Sequence, residues 1–373
     1  MSGFVSGTKK YLSDSADHIL DLRNGLDFLS PRNDGIGLLK KIGTNGFEAK
    51  SVKHEWTETA LASRGETVTL ADGSVTSLTV ANAYQYQVNE LIRIENEVVR
   101  VTAIVDGTTL TIVRGYAGST GAAHSSKLAY SLGSADPENA LAPAGIADTG
   151  DRLYNYVQTL TRGVSLSNDE IAQLSTDGNP LHGQIERRFI ELNRQLARNL
   201  FYGIRYEDTT NNIHVMGGLK QFVTTNVTNV AGALTLAAID AQILNIRLAG
   251  GQPDTLVVSP QQKQKLDALD NNLQRFGKDQ KTGGGLMTQT WQSGVLDSPL
   301  DVMVDDSILT DELWILDTTK VKVGHLSNNG VNGAFHVEDA TTPGQDGETR
   351  VMRGKYTVRV EQQKAHGYLY GLS

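Results

Sequence analysis

The chain has 373 residues, 39% of them hydrophobic, with 38 glycines and only 8 prolines, which suits one large or two to three modest globular domains with a sizeable core and excludes a disordered chain. No run approaches the roughly 18 apolar residues of a membrane span, and Met1 to Lys10 lacks the apolar core of a secretory signal, so a soluble protein made in the cytoplasm is expected. The absence of cysteine excludes disulfides, Cys-ligated zinc and thiol catalysis together, while a net charge of -8 argues against a dedicated nucleic-acid binder, though not against a protein that surrounds nucleic acid.

In chain order, residues 1 to 35 are mixed and polar, with Leu20, Leu22, Leu26 and Leu29 broken by Asn24-Gly25 and Ser30-Pro31. They read as an arm with short helical turns that could bury no core alone. Phe47 to Leu61 is extended but polar on both faces, and Arg152 to Ser167 looks similar; such strands suit a projecting hairpin better than a sheet centre. Between them, Glu66 to Gly133 forms a self-contained β segment. Its strands are marked by Leu78 and Val80, by Leu91, Ile92 and Ile94, by Val98, Val99 and Val101, and by Leu110 and Ile112. Asn96 and Asp106-Gly107 supply turns. A small antiparallel barrel or sandwich inserted into the hairpin is predicted.

After Pro180, Ile185, Phe189, Leu192, Leu196 and Leu200 recur every three or four residues, which predicts a long amphipathic helix. Arg187, Glu191, Arg194 and Arg198 line another face, read as a solvated ion-paired surface rather than a DNA contact. Leu236 to Ile246 predicts a helix stopped by Gly250-Gly251, and Asp254 to Val258 a buried strand. Ser259-Pro260 supplies an N-cap and an N1 proline for the next helix. A loop runs from Phe276 to Gly294, two strands follow at Asp301 to Val304 and Leu313 to Val323, and a long extended segment from Thr349 to Tyr370 closes the chain.

Motifs for chemistry are weak. Gly115, Gly118 and Gly121 follow a β-branched run, as a phosphate loop would, but their spacing is wrong, no Lys-Ser/Thr follows, and Ala122 to Tyr130 reads as strand instead of helix. They are read as a turn. Lys281-Thr282 precedes its glycines where a phosphate loop needs them first. The eight histidines give no helical zinc spacing, no G-x-S-x-G elbow occurs, and the pairs Asp305-Asp306 and Asp311-Glu312 read as surface turns. No catalytic, cofactor or metal residue is assigned.

The order of polar hairpin, long helix, α/β unit and final strand resembles the major capsid proteins of tailed bacteriophages. The passages that carry it are Glu55-Trp56-Thr57-Glu58, Arg152 to Ser167, Gln184 to Tyr202 and Gly354 to His366. The insert, with Asn89 to Ile94 and Thr109 to Tyr116, is similar to a β domain that one capsid lineage carries in its extended loop. The resemblance implies an α+β Hong Kong 97-like (Johnson) fold. Its parts would be an N-terminal arm (1–46), an extended loop (47–65 and 134–167) and the inserted β domain (66–133). A spine helix with peripheral domain (168–213), an axial domain (214–345) and a peripheral C-terminal strand (346–373) would follow.

It further implies a non-enzymatic, self-assembling shell subunit of the virion, forming hexamers and pentamers around double-stranded DNA without specific binding. Portal, scaffolding and decoration proteins would be its partners, and no membrane is involved. Candidate intersubunit contacts are Trp56, Arg114, Tyr116, Arg187, Arg194, Phe276 and Lys278. Two other readings stand beside it: an encapsulin-like compartment shell, and a glycan-active enzyme or tail adhesin using Tyr84, Tyr86 and Tyr116.

Overall fold

A computed structural model describes residues 36–59, 65–139, 150–172, 180–269, 282–283, 286–287, 289–291, 293–328 and 330–373. The chain divides into two compact units, one made of residues 1–56 and 153–373 and the other of Thr57–Arg152.

The larger unit begins with helix α1 (Gly37–Ile42) and strand β1 (Phe47–Ala49). The sequence placed residues up to 46 in a detached arm. Instead, Leu38 and Leu39 are buried in the main core, and the Leu38 amide donates to the Asp305 carboxylate at 2.9 Å, so α1 is part of the body. Residues 1–35 lie outside the described residues. Strand β2 (Lys53–Glu58) follows and later pairs with β9.

The second unit holds β3 (Glu66–Leu70), β4 (Ser77–Thr79), β5 (Glu90–Ile94), β6 (Glu97–Ile104), β7 (Thr109–Val113) and β8 (His124–Ser134). They form an antiparallel sheet in the order β3-β8-β5-β6-β7-β4. Alternation along each strand turns one side chain in two inward. Val68, Leu78, Ile92, Ile94, Val99, Val101, Leu110 and Ile112 thus share one core, so the sheet curls around it. β5 turns into β6 through Glu95-Asn96, with Glu95 at φ 51°. Between β6 and β7 the Asp106 carboxylate caps the Thr108 amide at 2.8 Å, the side-chain turn that made Asp106-Gly107 legible.

Strand β9 (Asp151–Tyr156) returns beside β2, and β10 (Gln158–Ser167) continues it. Here the expected projecting hairpin is corrected. Only β9 pairs with β2, whereas all of β10 pairs with β23 and buries Leu160 and Val164. Apolar residues four apart on one face are enough to seat a strand that looks polar overall. Helices α2 (Asn168–Ala172) and α3 (Pro180–Tyr202) come next; α3 is 23 residues long, about 34 Å, and buries Leu192, Leu196, Ala197, Leu200 and Phe201.

The chain then runs through β11 (Tyr206–Asp208), β12 (Ile213–Val215), α4 (Leu219–Phe222) and β13 (Val227–Gly232). Helix α5 (Leu236–Leu248) is capped by Thr235, whose side chain accepts from the Ala238 amide, and Gly250, at φ 91°, ends it. Strand β14 (Thr255–Val258) is buried throughout, and α6 (Pro260–Leu269) starts with the Gln262 amide on Ser259 Oγ.

The remaining strands are β15 (Thr282–Gly283), β16 (Leu286–Met287), β17 (Gln289–Trp291), β18 (Leu300–Val304), β19 (Leu313–Leu316), β20 (Val321–Asn328), β21 (Val331–Asn332), β22 (His336–Asp339), β23 (Gly347–Val360) and β24 (Gly367–Leu372). Two sheets organise the unit: β1-β20-β23-β10, with β21 and β22 attached, and β13-β24-β19-β14-β18-β17. Along β14, Leu256 and Val258 face a core built with Ile239, Ile243, Ile246 and Leu266, while Val257 faces the core of α3.

The two segments read as single strands are each split between these sheets. Leu313 to Val323 breaks at Asp317, whose carboxylate caps the Thr319 amide at 3.0 Å and turns β19 into β20. Thr349 to Tyr370 breaks at Gln362, at φ 53°, and a 3-10 turn leads from β23 to β24. The boundary placed at residue 345 is therefore corrected: β20 and β22 belong to the sheet of β23, and β24 to the other sheet.

The acidic pairs are corrected too. Asp305 and Glu312 are buried instead of standing at surface turns. Burial pushes the Asp305 carboxyl up, opposed by the amides of Leu38 and Ser307. Glu312 accepts from Tyr202 Oη at 2.7 Å, Lys220 Nζ at 2.6 Å and Trp314 Nε1 at 3.2 Å.

Candidate assembly surfaces

The root of the β2–β9 ribbon is the first candidate surface. Period-two alternation puts His54 and Trp56 on one face of β2, where rings continue from the body. Phe47 stacks on His54 at 4.5 Å, His54 on Trp56 at 5.9 Å, and Trp56 lies 5.8 Å from Phe222 of α4. The Arg205 guanidinium sits 5.9 Å from Phe222 and 4.0 Å over Tyr154, with Lys53 also 4.4 Å over Tyr154. Burial, and then the Arg359 charge, push the His54 imidazole below its usual range. These contacts combine offset stacking with cation–π attraction and seat His54, Trp56 and Tyr154 against the first unit.

Asn155 fixes the same root from within. It is fully buried, donates to the carbonyls of Gly217 at 3.0 Å and Val358 at 2.7 Å, and accepts from the Gly217 amide at 2.8 Å. One side chain thus joins β9, the loop before α4 and β23. Beside it, Tyr156 donates to Glu207 at 2.7 Å, and this bond raises its phenol to about 12.

The second candidate is the loop between β7 and β8, where Arg114 and Tyr116 were singled out. Arg114 is corrected: its side chain is buried, and its five donors are all used inside the unit. Nε and Nη2 grip Glu97 at 2.6 and 2.7 Å, Nη1 reaches the carbonyls of Asp72 and Val75, and Nη2 that of Ala122. Glu97 also accepts from the amides of Gly115 and Ala122 and faces His124 Nε2 at 2.9 Å. Burial works against its charge, yet the bonds from Arg114, His124, Ala122 and Gly115 prevail and hold the carboxyl at about 2. Gly115 sits at φ 62°, where a Cβ would also meet Ser119 O at 2.9 Å, so the glycine serves a tight turn around a carboxylate. As the sequence indicated, the loop leads into a strand, β8, with no helix N-terminus to hold a phosphate.

Tyr116 is half-buried, and Arg100 lies 5.2 Å over its ring. Trp56 is also half-buried, within the ring series. Arg187 and Arg194 stand half-buried on α3, where Arg188 pairs with Glu191, and Arg162 of β10 approaches Glu191 at 3.7 Å. Phe276 and Lys278 lie outside the described residues. The structure does not gather these positions into one site; they are spread over both units. Asn155, Glu97 and Arg205 were missed, because each works through partners remote in sequence. Among the described residues no group of three or more His, Cys, Asp or Glu side chains could hold a metal ion, and no helix is long and apolar enough to cross a membrane.

Comparison with known proteins places this architecture. The capsid of a native GTA particle is similar over 98% of this chain and 100% of its own, at 9% identity and a TM-score of 0.55. The Microbacterium phage Oxtober96 structure is similar over 97% of each chain, at 11% identity and a TM-score of 0.51. The holo-SrpI encapsulin complex of Synechococcus elongatus aligns with 61% of this chain and 78% of its own, at 10% identity and a TM-score of 0.47. No curated protein matches by sequence. The fold is α+β and Hong Kong 97-like, as in phage capsids. The family model described as SU10 major capsid protein matches residues 6–373, and its members form the protein shell of a virion. The chain therefore belongs to the SU10 major capsid protein family.

Proposed function

We propose that this chain is the repeating subunit of an icosahedral head, arranged as hexamers and pentamers around double-stranded DNA. The observation that carries the reading is the family match over residues 6–373. The β2–β9 ribbon and the unit it carries are assigned to the extended loop and its inserted domain. Helix α3 and the sheet of β23 are assigned to the spine and peripheral domain, and the sheet of β14 to the axial domain. The role is structural, not catalytic, and an acidic chain suits it, since a strongly basic lining would hold on to DNA. Portal and scaffolding proteins are the partners such a head needs, and decoration proteins are further candidates.

The test is the content of the particle. Shells isolated from a producing cell, nuclease-treated and then opened, should release protected double-stranded DNA. Recovery of an enzyme as the sole content would overturn the genome-container reading in favour of a compartment shell.

A further inference from the structure

Helix α3 is basic in a chain of net charge -8: it carries four arginines against two glutamates. Their spacing sorts them by face. At about 100° per residue, Arg187, Arg194 and Arg198 fall within an arc of about 40°, centred about 180° round the helix from Leu196 in the core. Arg187 and Arg194 are half-buried there, and Arg198 is exposed. Glu186 points elsewhere and faces His182 at 3.2 Å. Glu191 borders the stripe, but its two oxygens already meet Arg188 of the same helix and Arg162 of β10. The helix's own glutamates do not balance the stripe, so its counter-charge comes from outside the helix.

The chain's N-terminal segment has the opposite character. Between Tyr11 and Ser30 it carries Asp14, Asp17, Asp21 and Asp27 against a single arginine, Arg23. It is also tethered at the right place. Helix α1 packs against α3, with Leu38 and Leu39 in one core with Leu192 and Leu196, so the chain enters the described body beside this helix. From Asp27 to Ile36 the backbone can span about 30 Å, nearly the length of α3, which puts the arginines within reach of the aspartates of the same chain.

We propose that Asp14, Asp17, Asp21 and Asp27 dock along the arginine stripe of α3 in the same chain and shield it from nucleic acid. Guanidinium groups match carboxylates in both charge and geometry. A single exposed pair is weak, but several act together here, and a short tether holds the segment at an effective concentration in the millimolar range. Duplex DNA would meet the same stripe through its phosphates, yet three arginines displace only about three counterions, so the tethered aspartates prevail. The docking takes place within one chain and does not depend on the shell reading. In a subunit that encloses DNA it has a use, because a basic helix face is covered before nucleic acid can be held there.

The experiment uses the unassembled full chain with Phe28→benzoylphenylalanine as a photo-cross-linker next to Asp27, in an equimolar mixture of isotope-labelled and unlabelled copies. The expected products join the N-terminal segment to α3 and are all-light or all-heavy, as a bond within one chain requires. Asp14→Asn, Asp17→Asn, Asp21→Asn and Asp27→Asn together should lower the yield about tenfold, the combined effect of several exposed ion pairs, and added salt should lower it without them. The same four substitutions should raise the affinity for random-sequence duplex DNA about tenfold at low salt, and Arg198→Gln added to them should take most of that gain back. Circular dichroism checks that each variant folds. Mixed-mass products, which would place the segment on another copy, cross-links to other elements, a yield unchanged by the Asn substitutions, an unchanged affinity for DNA, or a gain that survives Arg198→Gln would overturn the inference. None of these readouts uses assembled particles, so their failure leaves the head-subunit reading to its own test.

Discussion

Glu97→Gln tests whether the loop between β7 and β8 is built around a buried charge. The carboxyl lies at about 2 instead of 4.5. At about 1.4 kcal/mol per unit, the drop bounds the coupling at about 3 kcal/mol, and partial screening by nearby water brings it to about 2 kcal/mol. The amide loses the charge and also turns an NH₂ toward groups that donate. Arg114, buried and holding Glu97 through two bonds, is left without its counter-charge. Removing one partner of a buried pair costs about 3–5 kcal/mol, so a loss of about 3 kcal/mol is expected, or on the order of 15 °C in the melting of a unit this size.

The direction with pH follows from a depressed carboxyl. The stability contributed by Glu97 is fully present above its unfolded value near 4.5 and is lost as pH falls toward 2. The wild type should weaken across that window, while the Gln variant, weaker from the start, should lack that component. Hydrogen exchange of the Gly115 and Ala122 amides reads the effect locally. A variant within about 0.5 kcal/mol of the wild type, or with the same acid dependence, would refute the charge hub.

Other expectations follow from single positions. Burial holds the His366 imidazole at about 4, so stability should be full above pH 6.5 and drain as pH falls toward 4, by at most about 3 kcal/mol; His366→Gln should flatten that window in urea titrations. Asn155→Ala should cost about 2–3 kcal/mol and speed amide exchange at Gly217, because two carbonyls and two amides lose their partner. Trp56→Ala should cost only about 1–2 kcal/mol in global unfolding but expose β2 to exchange, since a half-buried ring buries less area than a core residue while stacking on His54 and Phe222.

Local pattern carried much of the fold. The Leu192, Leu196 and Leu200 spacing gives α3, Ser259-Pro260 gives the start of α6, and Asp106-Gly107 gives a turn, because each signal lies within one element. What the pattern hides is partnership. The run from Leu313 to Val323 is apolar and extended across both of its strands, so nothing in its period reveals that Asp317 hands the chain from one sheet to the other. Asp305 and Glu312 look like ordinary acidic turns until α1 and Lys220, remote in sequence, come to rest on them. Arg114 likewise looks available until the five acceptors around it are in place. The candidate contacts were therefore the least legible part, since residue type alone does not distinguish an arginine used inside from one presented outside.

The central claim is a closed shell, and electron microscopy of the purified full-length chain under assembly conditions tests it most directly. Closed particles built from rings of six and five subunits are predicted; only compact monomers under every condition tried would contradict the account.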